Sequence, residues 1–283
     1  MSKHVRFGPA GNDVLFYKQG YKATLQAPKW LREMGLDALE ICFGRGSRMS
    51  VETAQKIGQE GRKHNIALSV HAPYFINMAN PEAIDKNYRF ISQSLGLLHV
   101  MGGNRVVIHV GSQGDLSREE AMKNTRTSLV QIIKRLDKDG LGDFLLCLET
   151  MGKYRQIGNV EEICDLCSVD PRVIPTLDFG HINCLLQGEL SRNPEKIPEL
   201  MDQITKKIGK EKIQNVHIHW SAIEFSEKGE RRHTTLDDPQ WHIPFKPLAR
   251  YIKDKGLTPT IICESEDIMA QDALKLRKIW DKC

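Results

Sequence analysis

Short apolar runs rich in β-branched residues recur along the chain, separated by longer segments in which apolar residues repeat with helical spacing. The runs start about 30–45 residues apart, which is the length of one strand–helix unit. Amphipathic helices are predicted at 51–65, 119–140 and 272–282, the second ending in a basic turn and a glycine. Strands are predicted at residues 5–8, 38–43, 67–72, 105–110, 144–149, 173–178, 215–220 and 259–264.

This alternation continues through the chain without a linker or a low-complexity tract. Eight strand–helix units in one uninterrupted chain predict an α/β fold, a single closed (β/α)8 TIM barrel that spans residues 1–283 as one domain. An open doubly wound sheet is the alternative, but no glycine-rich dinucleotide-binding loop follows the first strand. Residues 221–241 show neither periodicity, so we expect a long loop there, of the kind that is either functional or disordered.

Polar side chains stand at the carboxyl ends of the predicted strands, where TIM barrels build their active sites. In the seventh run, NVHIHW, successive side chains point to opposite faces, so its two histidines share one face of the strand. The polar residues at or just after the strand ends are His71, His109, Glu149, Asp178, His181, His217, His219 and Glu264.

Each of these residues alone could be a hydrogen-bonded or salt-bridged core residue. Three carboxylates buried together, however, would each cost several kcal/mol without compensating positive charge. Metal ions are the simplest compensation, and imidazole with carboxylate but no cysteine suits Zn²⁺ or Mn²⁺. The segment after the seventh strand adds His233 beside Glu230, Arg231 and Arg232. These donors suffice for two or three ions, the usual arrangement for hydrolysing a phosphoester.

The amino-acid composition limits which binding partners and which cellular compartment are expected for the protein. The 283 residues are 40% hydrophobic, enough for a sizeable core, and the formal charge of +4 permits a polyanionic partner without requiring one. Seven scattered cysteines favour reduced thiols and a cytoplasmic protein. The N-terminus lacks an apolar run, and no apolar run approaches the ~20 residues of a membrane span, so neither a signal peptide nor a membrane partner is expected.

The motifs that carry the polar residues resemble those of the endonuclease IV family of apurinic/apyrimidinic endonucleases. They follow one another in order over nearly the whole chain, at the spacing of barrel strands. The motifs are SVHAPYFINM (69–78), VVIHVGS (106–112), CLETMG (147–152), TLDFGHINC (176–184), VHIHWS (216–221), RHTTL (232–236) and IICES (261–265).

This resemblance implies a zinc-dependent DNA-repair hydrolase on a TIM barrel. Members of the family hold three zinc ions and cleave DNA on the 5′ side of an abasic site by attack of a metal-bound hydroxide, in base excision repair. Glu149 would be the catalytic residue, since it bridges two ions and can orient the hydroxide. The ligand sets implied by position are His71, His109 and Glu149 for the first ion, Glu149, Asp178, His217 and Glu264 for the second, and His181 and His233 for the third.

Two of the chain's departures from the family pattern concern candidate ligands. The family has an aspartate two residues before the loop histidine, where this chain has Arg231, which cannot bind a metal ion. Either Glu230, one residue earlier with a longer side chain, replaces it, or the third metal site is weak or missing. At the position of His219 the family has an asparagine that is not a ligand. His219 could contact a phosphate, orient a ligand, or itself replace His217 as the ligand if the strand register is shifted by two.

The resemblance also implies a substrate, double-stranded DNA with an abasic site, and the side chains that contact it. Tyr74 and Phe75 match a loop that the family inserts into the minor groove, and Arg48 matches a second such loop. The two aromatic residues could equally form an apolar plug over the barrel mouth, and the arginine a surface salt bridge. We expect the protein to act as a monomer.

A sugar isomerase or epimerase on the same barrel is the alternative function. Such enzymes hold one Mn²⁺ or a similar ion with a Glu, Asp, His, Glu set from strands five to eight, which Glu149, Asp178, His217 or His219, and Glu264 would fit. In that reaction the two glutamates would exchange a proton at the carbon next to a carbonyl group. The discriminating feature is the remaining histidines, which an epimerase does not need.

Overall fold

The computed structural model describes residues 4–283, in which eight parallel strands form a nearly closed barrel with helices between them. Two further strands pair with each other as an antiparallel hairpin outside the barrel. The strands are β1 (Arg6–Pro9), β2 (Ala38–Cys42), β3 (Ala67–His71), β4 (Arg105–Ile108), β5 (Leu145–Glu149), β6 (Val173–Asp178), β7 (His217–Trp220), β8 (Ala222–Ser226), β9 (Gly229–Thr234) and β10 (Thr260–Cys263).

The barrel strands are hydrogen-bonded in the order β1–β10–β7–β6–β5–β4–β3–β2, and short 3₁₀ turns at Thr24–Gln26 and Pro81–Ala83 lie among the helices. The helices are α1 (Val14–Lys18), α2 (Ala27–Met34), α3 (Val51–Lys63), α4 (Ile84–Met101), α5 (Arg118–Lys138), α6 (Val160–Cys167), α7 (Phe179–Leu185), α8 (Glu189–Arg192), α9 (Lys196–Ile208), α10 (Lys210–Gln214), α11 (Lys246–Lys255) and α12 (Met269–Lys282).

The TIM barrel predicted from the sequence is confirmed. Each of the eight predicted strands is found, with both ends within two residues of the prediction. The predicted helix 119–140 is α5, which begins at Arg118 because Ser117 caps it: the Ser117 hydroxyl accepts from the Glu120 backbone N–H, and the Glu120 carboxylate accepts from the Ser117 backbone N–H.

The segment 221–241 is not the loop that we expected from its sequence. Its first part is the hairpin β8–β9, in which Ala222 pairs with Thr234 and Ser226 with Gly229 across a two-residue turn. Gly229 begins β9 with a φ of +96°, a backbone conformation that glycine adopts readily. The polar–apolar alternation is hidden in the sequence because the pairing contains an irregularity between Glu224 and Phe225.

Alternation along the strands separates the outer core from the barrel interior. Ile218 of β7 belongs to the large apolar core, whereas a small separate cluster of Val107, Cys147 and Ile174 fills the interior. Val107 and Cys147 lie two residues before His109 and Glu149, so they share the inward face with those polar residues. The site therefore rests on an apolar layer. Across residues 4–283, no helix combines the length and apolar character of a membrane span.

The barrel closes where β1 approaches β2 at Gly8. A Cβ atom on Gly8 would lie 1.8 Å from the backbone oxygen of Ala38. We therefore expect Gly8→Ala to force the strands apart and to lower the free energy of unfolding by about 1–3 kcal/mol, as overpacking does. Urea denaturation measures this, with Gly96→Ala as the control, because a Cβ at Gly96 in α4 meets nothing within 4 Å. Equal stabilities of the two variants would contradict the close approach.

Candidate metal centre

A cavity of about 400 Å³ opens at the carboxyl ends of the barrel strands. It is the end at which the sequence predicts the active site. The residues that line it include His71, His109, Glu149, His181, Glu230, His233 and Glu264. Together with buried residues beneath them, these side chains form three neighbouring groups of nitrogen and oxygen donors that could each hold a metal ion, and a fourth such group, Glu40, His217 and His219, lies deeper in the barrel.

The first donor group consists of His71, His109 and Glu149. The Nε2 atoms of the two histidines lie 3.0 and 2.8 Å from the same carboxylate oxygen, Oε2 of Glu149. The opposite ring nitrogen of His71, Nδ1, donates a hydrogen bond to the backbone oxygen of Ala72 at 2.9 Å. That bond directs the Nε2 atom of His71 into the cavity and leaves it available as a ligand.

The second donor group consists of Glu149, Asp178, His219 and Glu264. The Nδ1 atom of His219 lies 3.3 Å from Oε1 of Glu149, 3.3 Å from Oε2 of Glu264 and 4.0 Å from Oδ2 of Asp178. Asp178 is fully buried, and its Oδ2 atom lies 3.3 Å from Nδ1 of His181 but accepts no hydrogen bond from the described residues. A buried carboxylate oxygen without a hydrogen bond costs free energy, and a bound cation would offset that cost.

The third donor group consists of His181, Glu230 and His233. The Nε2 atom of His181 lies 3.5 Å from Oε2 of Glu230, while its Nδ1 atom donates to the backbone oxygen of Thr150 at 2.9 Å. His233 Nδ1 lies 3.0 Å from the hydroxyl oxygen of Ser221. Both rings therefore have one nitrogen held by the protein and one nitrogen available to a ligand.

A β-bulge explains why Glu230 takes part and Arg231 does not. Along the hairpin, Glu224 pairs with Arg232 but the next residue, Phe225, pairs with Glu230, so Arg231 is the extra residue of β9. The extra residue resets the alternation and places Glu230 beside His181, near His233. The Arg231 guanidinium instead contacts the Glu224 carboxylate at the surface, at 2.9 Å.

The expectation for His217 requires a correction, because the structure does not bring it together with Asp178 and Glu264. His217 is fully buried, and its Nε2 atom lies 2.9 Å from the carboxylate of Glu40. His219, two residues further along β7, occupies the place expected for His217. The alternative in which the register is shifted by two therefore describes the geometry.

Glu40 is the residue near the site that sequence reasoning missed. It is fully buried in the middle of β2, and it contacts both histidines of β7. A signal was present in the sequence, since the run ALEIC places one charged residue among apolar residues of a central strand. It escaped notice because Glu40 lies two residues before the strand end, below the level of the other candidates.

The electrostatics of the site are those of buried carboxylates balanced by imidazoles. Burial alone raises the pKa of Glu149, but the charges of His109 and His219 outweigh it and hold that pKa well below its ordinary value. The pKa of Asp178 is raised, chiefly by burial. Burial lowers the pKa of His71, yet the hydrogen bond with Glu149 raises it overall to about 9. The buried carboxylates thus require nearby positive charge, which protonated imidazoles or bound metal ions can supply.

The residues expected to contact DNA lie around the cavity mouth to different degrees. Tyr74 and Phe75 are 48% and 43% exposed, and their ring centroids are 4.4 Å apart. Tyr74 also lines the cavity. Arg48 is exposed in the segment after β2 and is not among the residues that line the cavity. The aromatic pair is therefore about half exposed at the edge of the cavity.

The fold and its donor groups define a TIM barrel with a candidate histidine–carboxylate metal centre. The sequence model of one family, described as xylose isomerase-like TIM barrel, matches residues 28–279, and the chain belongs to that family.

Among curated relatives, an uncharacterized protein of Methanocaldococcus jannaschii is 30% identical over 98% of this chain and 97% of its own length. A protein of Mycoplasmopsis synoviae named "Probable endonuclease 4" is 28% identical over 66% of this chain and 64% of its own length. The resemblance to endonuclease IV that the sequence motifs indicate is therefore confirmed.

Solved structures with this fold are named after two kinds of enzyme. Endonuclease IV of Thermus thermophilus matches with a TM-score of 0.69 and 18% identity, over 98% of this chain and 100% of its own. A D-tagatose 3-epimerase-like protein matches with a TM-score of 0.72 and 20% identity, over 98% and 96% of the two chains. Identities this low establish the fold alone, so the choice between the two chemistries depends on the site.

Proposed function

We propose that this protein is a metal-dependent phosphodiesterase that cleaves double-stranded DNA on the 5′ side of abasic sites, as a cytoplasmic monomer in base excision repair. The observation that carries the proposal is the third donor group of His181, Glu230 and His233. An epimerase needs one ion, for which the second group alone suffices. A multi-ion hydrolytic centre requires further ligands, and the first and third donor groups provide them.

The first and second groups share Glu149, and the third group adjoins them through His181. Glu149 directs Oε2 toward His71 and His109 and Oε1 toward His219, so its two oxygens can serve two neighbouring ions. His181 lies 3.4 Å from Oε1 of Glu149 through Nδ1 and faces Glu230 through Nε2, which joins the second group to the third. The mixture of imidazole and carboxylate fits Zn²⁺, with Mn²⁺ as the other candidate.

Bound ions at such a centre supply Lewis acidity, an activated water and neutralisation of phosphate charge. The side chains of the protein would position the attacking water and the DNA. The free oxygen lone pairs of Glu149 can accept a hydrogen bond from the attacking water and orient it toward phosphorus. Lys153, which is exposed and lines the cavity, can contact a phosphate oxygen as a point charge. Tyr74 and Phe75 can enter the minor groove beside the abasic sugar, and Arg48 can contact the groove further out.

The proposal is tested with a duplex that carries a single tetrahydrofuran residue as an abasic analogue. This analogue cannot undergo β-elimination, so any nick reports hydrolysis. We expect a nick on its 5′ side that leaves a 3′-hydroxyl end when Zn²⁺ or Mn²⁺ is present, and an intact strand in the matched duplex without the analogue. An intact abasic strand under these conditions would refute the proposed function.

A sugar epimerase is the second candidate, favoured by one observation: Glu149, Asp178, His219 and Glu264 already form a complete single-ion set. In that reaction Glu149 and Glu264 would face the substrate carbon from two strands, β5 and the end of β10. Incubation with ketohexoses and Mn²⁺, followed by chromatographic separation of the epimers, tests this alternative. Epimer formation with no nicking would favour it.

Glu230→Ala tests the third donor group. We expect the variant to bind about one metal ion fewer per chain and to lose at least about tenfold in nicking rate, since one donor of the group is removed. Metal analysis and initial rates measure the two effects. The matched control is Arg231→Ala, the adjacent residue, whose side chain pairs with Glu224 at the surface. If Glu230→Ala retains the metal content and the rate of the control, Glu230 is not a ligand.

A further inference from the structure

Glu40 and His217 form a buried polar pair on the inner side of the second donor group. The Oε2 atom of Glu40 accepts a hydrogen bond from the Ser69 hydroxyl at 2.8 Å and lies 2.9 Å from His217 Nε2. Its other oxygen, Oε1, lies 3.0 Å from His219 Nε2. The two atoms are close enough for a hydrogen bond but their alignment does not form one, and neither has another hydrogen-bond partner among the described residues. Glu40, His217 and His219 are all fully buried, so these contacts are shielded from water.

The orientation of His219 is the reverse of that of the other histidines at the site. His71, His181 and His233 each present Nε2 to the cavity and have Nδ1 held by a nearby oxygen. His219 instead directs Nδ1 toward the carboxylates of the second group. A neutral imidazole binds a metal ion through one nitrogen only when its proton is on the other, so His219 needs an acceptor at Nε2. Among the residues that the structure describes, the Glu40 carboxylate is the acceptor within reach.

We propose that Glu40 is a positioning residue, which accepts the Nε2 proton of His219 and so keeps the Nδ1 lone pair directed at the second donor group. The inference rests on the proposed metal centre, but it concerns only the affinity of that group for an ion. His217 and Ser69 hold the Glu40 carboxylate in place from the other side. This assigns a function to both histidines of β7: His219 is the ligand, and His217 orients the residue that orients it.

A direct metal-binding role for Glu40, His217 and His219 is the competing explanation, because the donor atoms of these three residues also lie within 4.8 Å of one another. That arrangement would require His219 to use Nε2 for one ion and Nδ1 for another. It predicts a different result, since a lost ligand would remove an ion even at saturating metal concentration. Positioning predicts that the ion is retained at saturation but bound more weakly.

The test is Glu40→Gln in the full chain, with metal affinity measured by competition against a chromophoric chelator. We expect the affinity for one ion to fall about 10–100-fold, as when the partner of a metal-binding histidine is removed. The other ions should bind as before, and the visible spectrum of the Co²⁺-substituted protein should change. In nicking assays kcat should fall while KM for the duplex stays constant, because Glu40 does not touch the substrate.

Two further variants separate positioning from general damage. Ser69→Ala removes one hydrogen bond to Glu40 and should shift the affinity in the same direction by a smaller factor; it also serves as the test if Glu40→Gln does not fold. Asp13→Asn changes an equally buried carboxylate that accepts backbone N–H groups of Phe16 and Ala270, and it should leave metal affinity and the Co²⁺ spectrum unchanged.

Wild-type metal affinity and an unchanged Co²⁺ spectrum in Glu40→Gln would overturn the proposal, as would complete loss of one ion at saturation. These readouts need no DNA. A protein that binds its ions as described but nicks no abasic duplex would therefore refute the proposed function while supporting the role of Glu40.

Discussion

We expect Glu149→Gln to abolish the proposed nicking of abasic DNA and to leave the barrel folded. We expect a loss of at least about 10³-fold in kcat, because the substitution removes a charge that serves two donor groups and the acceptor for the attacking water. The change keeps the shape of a side chain that is 1% exposed, so it should not open a cavity. Initial rates on the tetrahydrofuran duplex, with metal content and circular dichroism of the same preparation, measure the effect.

The matched control is Glu162→Gln, on the helix that follows the strand of Glu149. Glu162 pairs with Arg118 and accepts backbone N–H groups of Gly158 and Asn159, so its contacts are structural. Its substitution should lower stability and leave kcat unchanged. Activity of Glu149→Gln within tenfold of the wild-type rate would contradict the catalytic role of Glu149.

Removal of metal ions should destabilise the protein strongly. A ligand present at about 1,000 times its dissociation constant stabilises the folded state by about 4 kcal/mol per site, which corresponds to a fall in Tm of about 5–10 °C for a chain of this size when one such ion is removed. The effect arises because Glu149 and Asp178 are buried beside Glu264, and their charges lose the ions that balance them. Thermal unfolding before and after treatment with EDTA measures it.

Restoration of Tm by the correct ion is the control for this experiment. Zn²⁺ or Mn²⁺ added to the chelated protein should restore the original Tm, whereas an equal concentration of Mg²⁺ should not, since groups rich in imidazole bind Mg²⁺ poorly. An unchanged Tm after complete removal of metal would mean that the histidines alone balance the carboxylates and that the donor groups are not a metal centre.

The barrel could be predicted from the sequence because its strands are short, apolar and regularly spaced. The spacing alone places His71, His109 and Glu149 at neighbouring strand ends, and the structure brings these three together. The residues of the first group follow directly from period-two alternation and from the rule that parallel strands end on one face of the barrel. No long-range information was needed for them.

The identity of the β7 donor could not be predicted in the same way. Alternation directs both His217 and His219 into the barrel, and only their depth along its axis separates them. That depth depends on the stagger of β7 against its neighbours, where His219 is level with Asp178 of β6 and His217 with Thr176. The carboxylate of Glu40 reaches across the interior from β2 to His217, which lies 177 positions later in the chain. A pattern local to one strand contains neither fact.

The geometry of the third donor group could not be predicted from the sequence for a different physical reason. A regular strand would place Arg231, not Glu230, on the same face as His233. The bulge reverses that outcome, and the pairing of β9 with β8 that produces it is not encoded in the spacing of charged residues. The sequence did indicate Glu230 as a substitute ligand, but on the length of its side chain and not on the bulge that brings it into position.

Metal content per chain tests the central claim most directly. The protein should be purified without chelators, loaded with Zn²⁺, freed of excess metal by gel filtration and analysed by inductively coupled plasma mass spectrometry against a quantitative protein assay. The three donor groups around Glu149 and His181 predict two or three ions per chain. A single ion per chain, retained in Glu230→Ala and lost in Glu264→Gln, would contradict the hydrolytic centre and would favour the single-ion epimerase.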